Sequence, residues 1–188
     1  MIVITDFWKK FLSGFAAELE GISDGEFMSA WTSSSARTSL YEDRVLGNVA
    51  QRMDLGLKKE EFKVDYTLCK EGERGYEVPL VYVESENVAT SAHHEIRKLC
   101  CLHAPLKVLI VCAEWSDEWS HRGLKKDLLP KWRHQIISHN KEWPAPCITG
   151  IIVAEWQEEK LRYYALALDH FGEVVDSEKV FLEREIGG

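Results

Sequence analysis

The period of the hydrophobic positions changes several times along the chain, and each change predicts an element. Phe7, Phe11, Phe15 and Leu19 recur every four residues behind Thr5 and Asp6, either of which can cap, so the first segment reads as an amphipathic helix. The polar stretch 31–39 reads as a loop. Ser39 then stands where a cap would, with Glu42 at the capping-box position. The apolar face of this second helix is Leu40, Val45, Leu46, Val49 and Met53, ending near Gly56.

From Glu61 the period becomes two. Phe62, Val64, Tyr66 and Leu68 alternate with Lys63, Asp65 and Thr67 up to Cys69, and the turn 70–75 leads into a second alternating run, Tyr76 to Glu86. Together they predict a β-hairpin. Pro79, near the beginning of the second run, marks an edge or the start of a strand, where no ladder donor is needed. A third helix is expected from Thr90 or Ser91 to just before Pro105. Leu106 to Cys112 reads as an apolar run, the mark of a strand covered on both faces. A basic helical region spans Arg122 to Asn140, interrupted or restarted at Pro130. Ile148–Glu155 and Leu161–Leu168 predict a second hairpin, and the acidic tail from Gly172 has room for one short final element. The order αα–ββ–α–β–α–ββ places the chain in the α/β class, as an α+β-like mixed sheet flanked by helices. Residues 1–188 form one expected domain, since 188 residues suffice for a buried core and nothing marks a boundary.

Composition narrows the partners. The chain carries 23 basic and 31 acidic side chains, net −8, so it cannot hold nucleic acid through its whole surface and would need a local basic patch. One exists: between Arg122 and Lys141 six cations stand against Asp127 alone. Lys125, Lys126, Lys131 and Arg133 form the candidate phosphate contacts, with Trp132 and Trp143 available for stacking. The same helix has an apolar side at Leu124, Leu128, Trp132 and Ile136, so a solvated face with Trp132 in the core is the favoured reading of the pattern. Cys69, Cys100, Cys101, Cys112 and Cys147 are odd in number and lack C-x-x-C spacing, which suits reduced thiols of a cytoplasmic protein. The acid at position six argues against a leader, and the longest apolar runs are too short to cross a membrane.

The chemistry-bearing stretch is the hairpin. Glu84 and Glu86 lie two apart at the end of an apolar strand, so their side chains share a face, and Asp65 on the neighbouring strand reaches the same region. Converging carboxylates repel one another, and a hard divalent cation, Mg²⁺ or alternatively Mn²⁺, relieves that repulsion. His93 and His94, being adjacent, are expected to point apart rather than to ligate together. No glycine-rich phosphate loop and no nucleophile elbow occur. The loop 115–121, rich in acids and tryptophan, either shapes a site mouth or is an exposed loop anchored by two tryptophans.

At these positions the chain resembles the PD-(D/E)XK nuclease superfamily, which places an Asp on one hairpin strand and an acid-x-Lys motif on the next. Asp65 matches the first acid and Glu84 the second; the helix after Ser91 and the strand Leu106–Cys112 match the next two core elements. The resemblance covers roughly residues 39–113 and implies a restriction-endonuclease-like core, with the C-terminal helix and β-hairpin as an extension. It implies metal-dependent phosphodiester hydrolysis on nucleic acid, a metal held by Asp65, Glu84 and the carbonyl of Ser85, and a frequent homodimer. Glu42 matches the upstream helical Glu of the family, although a capping role explains it as well. The motif Lys is replaced by Glu86; Lys98 from the following helix, or Lys63, would have to supply the missing cation. The competing expectation is a non-catalytic protein of this fold, or an unrelated mixed-sheet protein, serving as a binding or regulatory subunit.

Overall fold

The computed structural model describes residues 4–186; the first three residues of the N-terminal stretch and the last two of the acidic tail lie outside them. Seven strands form one mixed sheet whose spatial order is the chain order: β1 (Gly56–Lys59), β2 (Tyr66–Glu71), β3 (Glu77–Glu86), β4 (Leu106–Cys112), β5 (Ile148–Gln157), β6 (Lys160–Asp169) and β7 (Val174–Glu185). The pairs β3–β4 and β4–β5 are parallel and the rest antiparallel. Parallel neighbours need crossover connections. Here α5 (His93–Cys100) and α6 (Lys125–Glu142) supply them, so the C-terminal ends of β3, β4 and β5 lie along one edge of the sheet.

Alternation along the strands divides the core into two layers. Val81, Val83, Leu106, Val108 and Ile110 face α1 (Ile4–Glu20), α2 (Asp24–Trp31), α3 (Ser34–Leu40) and α4 (Gly47–Arg52). Tyr82, Leu109, Val111, Ile151 and Val153 face α5 and α6. The architecture is therefore a helix layer, a mixed sheet and a second helix layer. No helix among the described residues is long and apolar enough to cross a membrane.

Several local expectations are corrected, each for an identifiable reason. The stretch 31–39 is not a loop: Ser33 accepts from the Ala36 amide at 3.1 Å and starts α3, so Ser39 lies inside a helix and Glu42 caps nothing. The helix runs on through a π-helical stretch, Tyr41–Leu46, into α4. Helix α2 lies between, opened by a capping box in which Ser23 and Glu26 bond reciprocally. Residues 61–65 do not extend β2, because Glu60, Phe62 and Lys63 take positive φ and turn the chain, leaving Phe62 exposed. Pro79 falls beside a register shift and before β3 begins to pair with β4 at Val81, so its missing N–H interrupts little. Pro130 neither breaks nor restarts α6, because it lies exposed near the helix start and deprives only the solvent-facing Lys126 carbonyl of a partner. The run Leu106–Cys112 is not wholly apolar: Lys107 is buried within it beside the Cys147 thiol. The tail forms not a short element but the twelve-residue strand β7.

Trp8 of α1 is 2 % exposed, donates to Asp176 of β7 at 2.8 Å, and lies flat against the backbone of β5 at Gly150. A Cβ at Gly150 would lie far inside van der Waals contact with Trp8 Cζ3. Gly150→Ala is expected to push α1 off the sheet and cost about 1–3 kcal/mol, read as a lowered urea midpoint with an unchanged slope.

Candidate functional site

The β2–β3 ladder ends at the pair Tyr66 and Val83, and just beyond it the two chains carry Asp65 and Glu84. Asp65 Oδ2 accepts the backbone N–H of Ser85 at 2.8 Å, which fixes the carboxylate against the edge of β3. Asp65 and Glu84 are near enough for the Asp65 charge to act on the Glu84 carboxyl. Burial raises the pKa of Asp65 above the ordinary carboxylate range, with the Ser85 N–H opposing that rise.

Glu84 is the unusual member. It is 1 % exposed, and neither carboxylate oxygen has a hydrogen-bond partner. Its charge is met instead by Lys98 of α5, whose Nζ lies 2.8 Å from Glu84 Oε1 and 2.6 Å from Glu95 Oε2, outside the angles of directed hydrogen bonds. Burial pushes the Glu84 pKa to about 9; the Lys98 ammonium opposes the shift, and the Asp65 charge adds to it. A buried carboxyl without a directed hydrogen bond is costly, and sites that bind an ion are where such a cost persists.

The remaining expected residues divide. Ser85 is part of the cluster through its N–H. Glu86 shares the strand face of Glu84 but turns away, its Oε1 accepting the Val88 amide at 2.8 Å. Lys63 sits in the left-handed turn and is exposed. Glu42 pairs with Lys59, and together with Thr38, Glu60, Asp65, Tyr66 and Ser85 they line a cavity of about 390 Å³. On α6, Lys125 pairs with Glu178 and Lys126 with Asp117, while Arg133 pairs with Glu173; Lys131 is exposed. Much of the local positive surplus is thus met by acids, two of them from the chain's C-terminal part. Trp132 is core, stacked on Trp115. The His93 and His94 rings do not point apart; they lie 3.9 Å from each other at the exposed start of α5. All five cysteines are free thiols.

A larger cavity, about 730 Å³, opens beside the loop after β4 and is lined by Glu114, Asp117, Glu118, Trp119, Arg122 and Glu155 among others. Buried Glu155 accepts from the Trp115 and Ser116 amides, the Ser116 hydroxyl and the Tyr164 hydroxyl, so its oxygens are fully used in holding the loop. Glu155 and its partners were not legible in the sequence, where that glutamate is one polar residue ending an apolar strand. Among the described residues no three His, Cys, Asp or Glu side chains form a metal-holding group. Any cation at Asp65 and Glu84 would therefore rely on main-chain oxygen, water and substrate for the rest of its shell. Neither a scan of protein-family models nor a search of curated proteins returns a match to the chain.

Proposed function

We propose that the chain is a divalent-metal-dependent phosphodiesterase acting on nucleic acid, built on a restriction-endonuclease-like core that runs from α3 to β4. The observation that carries this reading is the buried Glu84 carboxylate, bare of hydrogen bonds and set against Asp65 where the β2–β3 ladder ends. An antiparallel hairpin followed by a helix and a parallel strand, the order that the PD-(D/E)XK resemblance implies, supports the core assignment.

Asp65, Glu84 and the carbonyl of Ser85 would hold Mg²⁺ or Mn²⁺, and two carboxylates suffice for such an ion when water and phosphate complete the shell. The buried Glu84 carboxylate fits a cation, since Oε2 has no partner and Oε1 already faces the Lys98 ammonium at 2.8 Å. Bound there, the ion supplies charge neutralisation at a phosphate and a lowered pKa for its water. The protein's own groups do the rest. Ser85 N–H orients Asp65 through Oδ2 and leaves Oδ1 for a ligand. In a strand the N–H and C=O of one residue point to the same side, so the Ser85 carbonyl lies on the edge that Asp65 flanks. Lys98 provides a cation beside Glu84 from the helix, the role left vacant by Glu86.

Titration calorimetry with Mn²⁺ tests this. Binding is expected for the full chain and lost in Asp65→Ala and Glu84→Ala with their circular dichroism unchanged; hydrolysis of a short duplex in Mg²⁺ should follow the same pattern. Absence of binding even with the duplex present favours a second reading, a non-catalytic binding or regulatory subunit. One observation speaks for it: the residue at the motif Lys position is an acid turned onto its own backbone.

A further inference from the structure

We infer that Arg37 is a phosphate-binding residue, holding a backbone phosphate of the nucleic-acid strand beside the one that Asp65 and Glu84 engage. This rests on the phosphodiesterase reading and adds to it a residue that no motif marks. Arg37 is half-buried on α3, with Nε donating to Asn87 Oδ1 at 2.7 Å and Nη2 to Ser34 Oγ at 3.3 Å. Its guanidinium lies over Trp31, 5.7 Å from the ring centroid, and Trp31 in turn stacks on Trp156 at 5.4 Å.

Everything that holds Arg37 is neutral. Arg44, Arg52, Arg122, Arg133, Arg162 and Arg184 each have a carboxylate within ion-pair distance; among the described residues Arg37, Arg74 and Arg97 have none, and of these three Arg74 and Arg97 are exposed whereas Arg37 is half-buried. In a chain with 31 acids, this half-buried cation is clamped in place and left without a counter-ion. A planar guanidinium fixed through one edge and one face, with Nη1 unbonded among the described residues, is prepared for a phosphate oxygen.

Its placement matches. Thr38, the next residue, lines the cavity that contains Asp65 and Ser85, and Asn87 follows directly on the strand segment Glu84–Glu86. A strand whose scissile phosphate sat at the acidic pair would bring an adjacent phosphate toward this rim.

The test is fluorescence anisotropy of a labelled short duplex in Ca²⁺ across a salt series, for the full chain and its Arg37→Ala, Arg37→Lys and Arg52→Ala variants. Arg37→Ala is expected to weaken binding about tenfold and to reduce the slope of log K against log salt by about 0.9. Arg37→Lys should restore the slope but only part of the affinity, and Arg52→Ala, whose guanidinium is already paired, should match the wild type. A wild-type slope in Arg37→Ala, whatever its affinity, overturns the inference, because a structural role would not release fewer counterions. If the wild type binds duplex and Arg37→Ala binds equally well, the inference alone falls. If the wild type binds none, the phosphodiesterase reading falls with it.

Discussion

Glu84→Gln is expected to abolish metal-dependent hydrolysis, by about 10³-fold, and at the same time to make the metal-free protein more stable. The two effects have one cause. Glu84 is buried where its charge is disfavoured, so the native state holds it as the neutral acid up to about pH 9 and must take up a proton that the unfolded chain has released. Glutamine keeps the shape and needs no proton. The pH dependence follows from the raised pKa. The unfolded carboxyl releases its proton near the ordinary 4.5, the folded one near about 9. Between these values the native state binds more proton than the unfolded state, so the stability Glu84 contributes is complete below about 4.5 and is lost progressively as pH rises towards 9. Gln has no such dependence. In chelator, the two proteins should melt close together near pH 5 and diverge by about 2–4 kcal/mol in favour of the variant near pH 8. Adding Mn²⁺ should raise the melting temperature of the wild type and leave the variant unmoved. A variant less stable than wild type at pH 8 would mean that Glu84 is a satisfied structural acid.

The elements that were legible are those whose local pattern and tertiary role agree. The spacing Phe7, Phe11, Phe15, Leu19 predicts α1 because the three rings and the leucine join the core on one stripe. Leu106–Cys112 predicts a doubly covered strand, and β4 does lie between two parallel neighbours under both helix layers. Errors arise where a local pattern is real but something outranks it. Phe62 and Val64 continue the alternation of β2 on paper, yet three residues with positive φ turn the chain there, and nothing in the residue types announces it. Ser39 and Glu42 have the capping-box spacing, but Ser33 had already started the helix. Ser23 and Glu26 have the same spacing and do form the box, so the start of α2 is written in the sequence by that pair. Strand β7 was hard to see because it is an edge strand with three register irregularities against β6, and such a strand keeps no clean alternation.

The site divides along the same line. Asp65 and Glu84 could be paired from sequence because a hairpin places its strand residues opposite one another, and the ladder does close just short of them. The expectation for Glu86 rested on the same parity and fails at the strand end, where its carboxylate finds the Val88 amide first. Lys98 could be suspected but not positioned, since its distance from Glu84 depends on how α5 docks against β3. Arg37 carries no sequence signal. Its distinction is to be half-buried and held by neutral groups alone, a fact about the folded surface that composition cannot express.

Lys98 gives the experiment of opposite sign. Its ammonium is the cation that faces both Glu84 and Glu95, and Asp65 stands behind them. Lys98→Ala is expected to lower activity about a hundredfold and to destabilise the fold by about 1–3 kcal/mol, since Glu84 and Glu95 lose the ammonium that faces both. Lys98→Arg should recover most of the stability while activity stays low, because the broad guanidinium cannot occupy the same point between two carboxylates. The contrast with Glu84→Gln separates the two functions proposed for the chain. If the cluster is built to receive a cation, removing the acid stabilises the metal-free protein and removing the lysine destabilises it, while both abolish hydrolysis. If the cluster is a structural ion pair in a binding subunit, Glu84→Gln and Lys98→Ala should both destabilise, because each would then strand the other partner, and neither melting curve should respond to Mn²⁺.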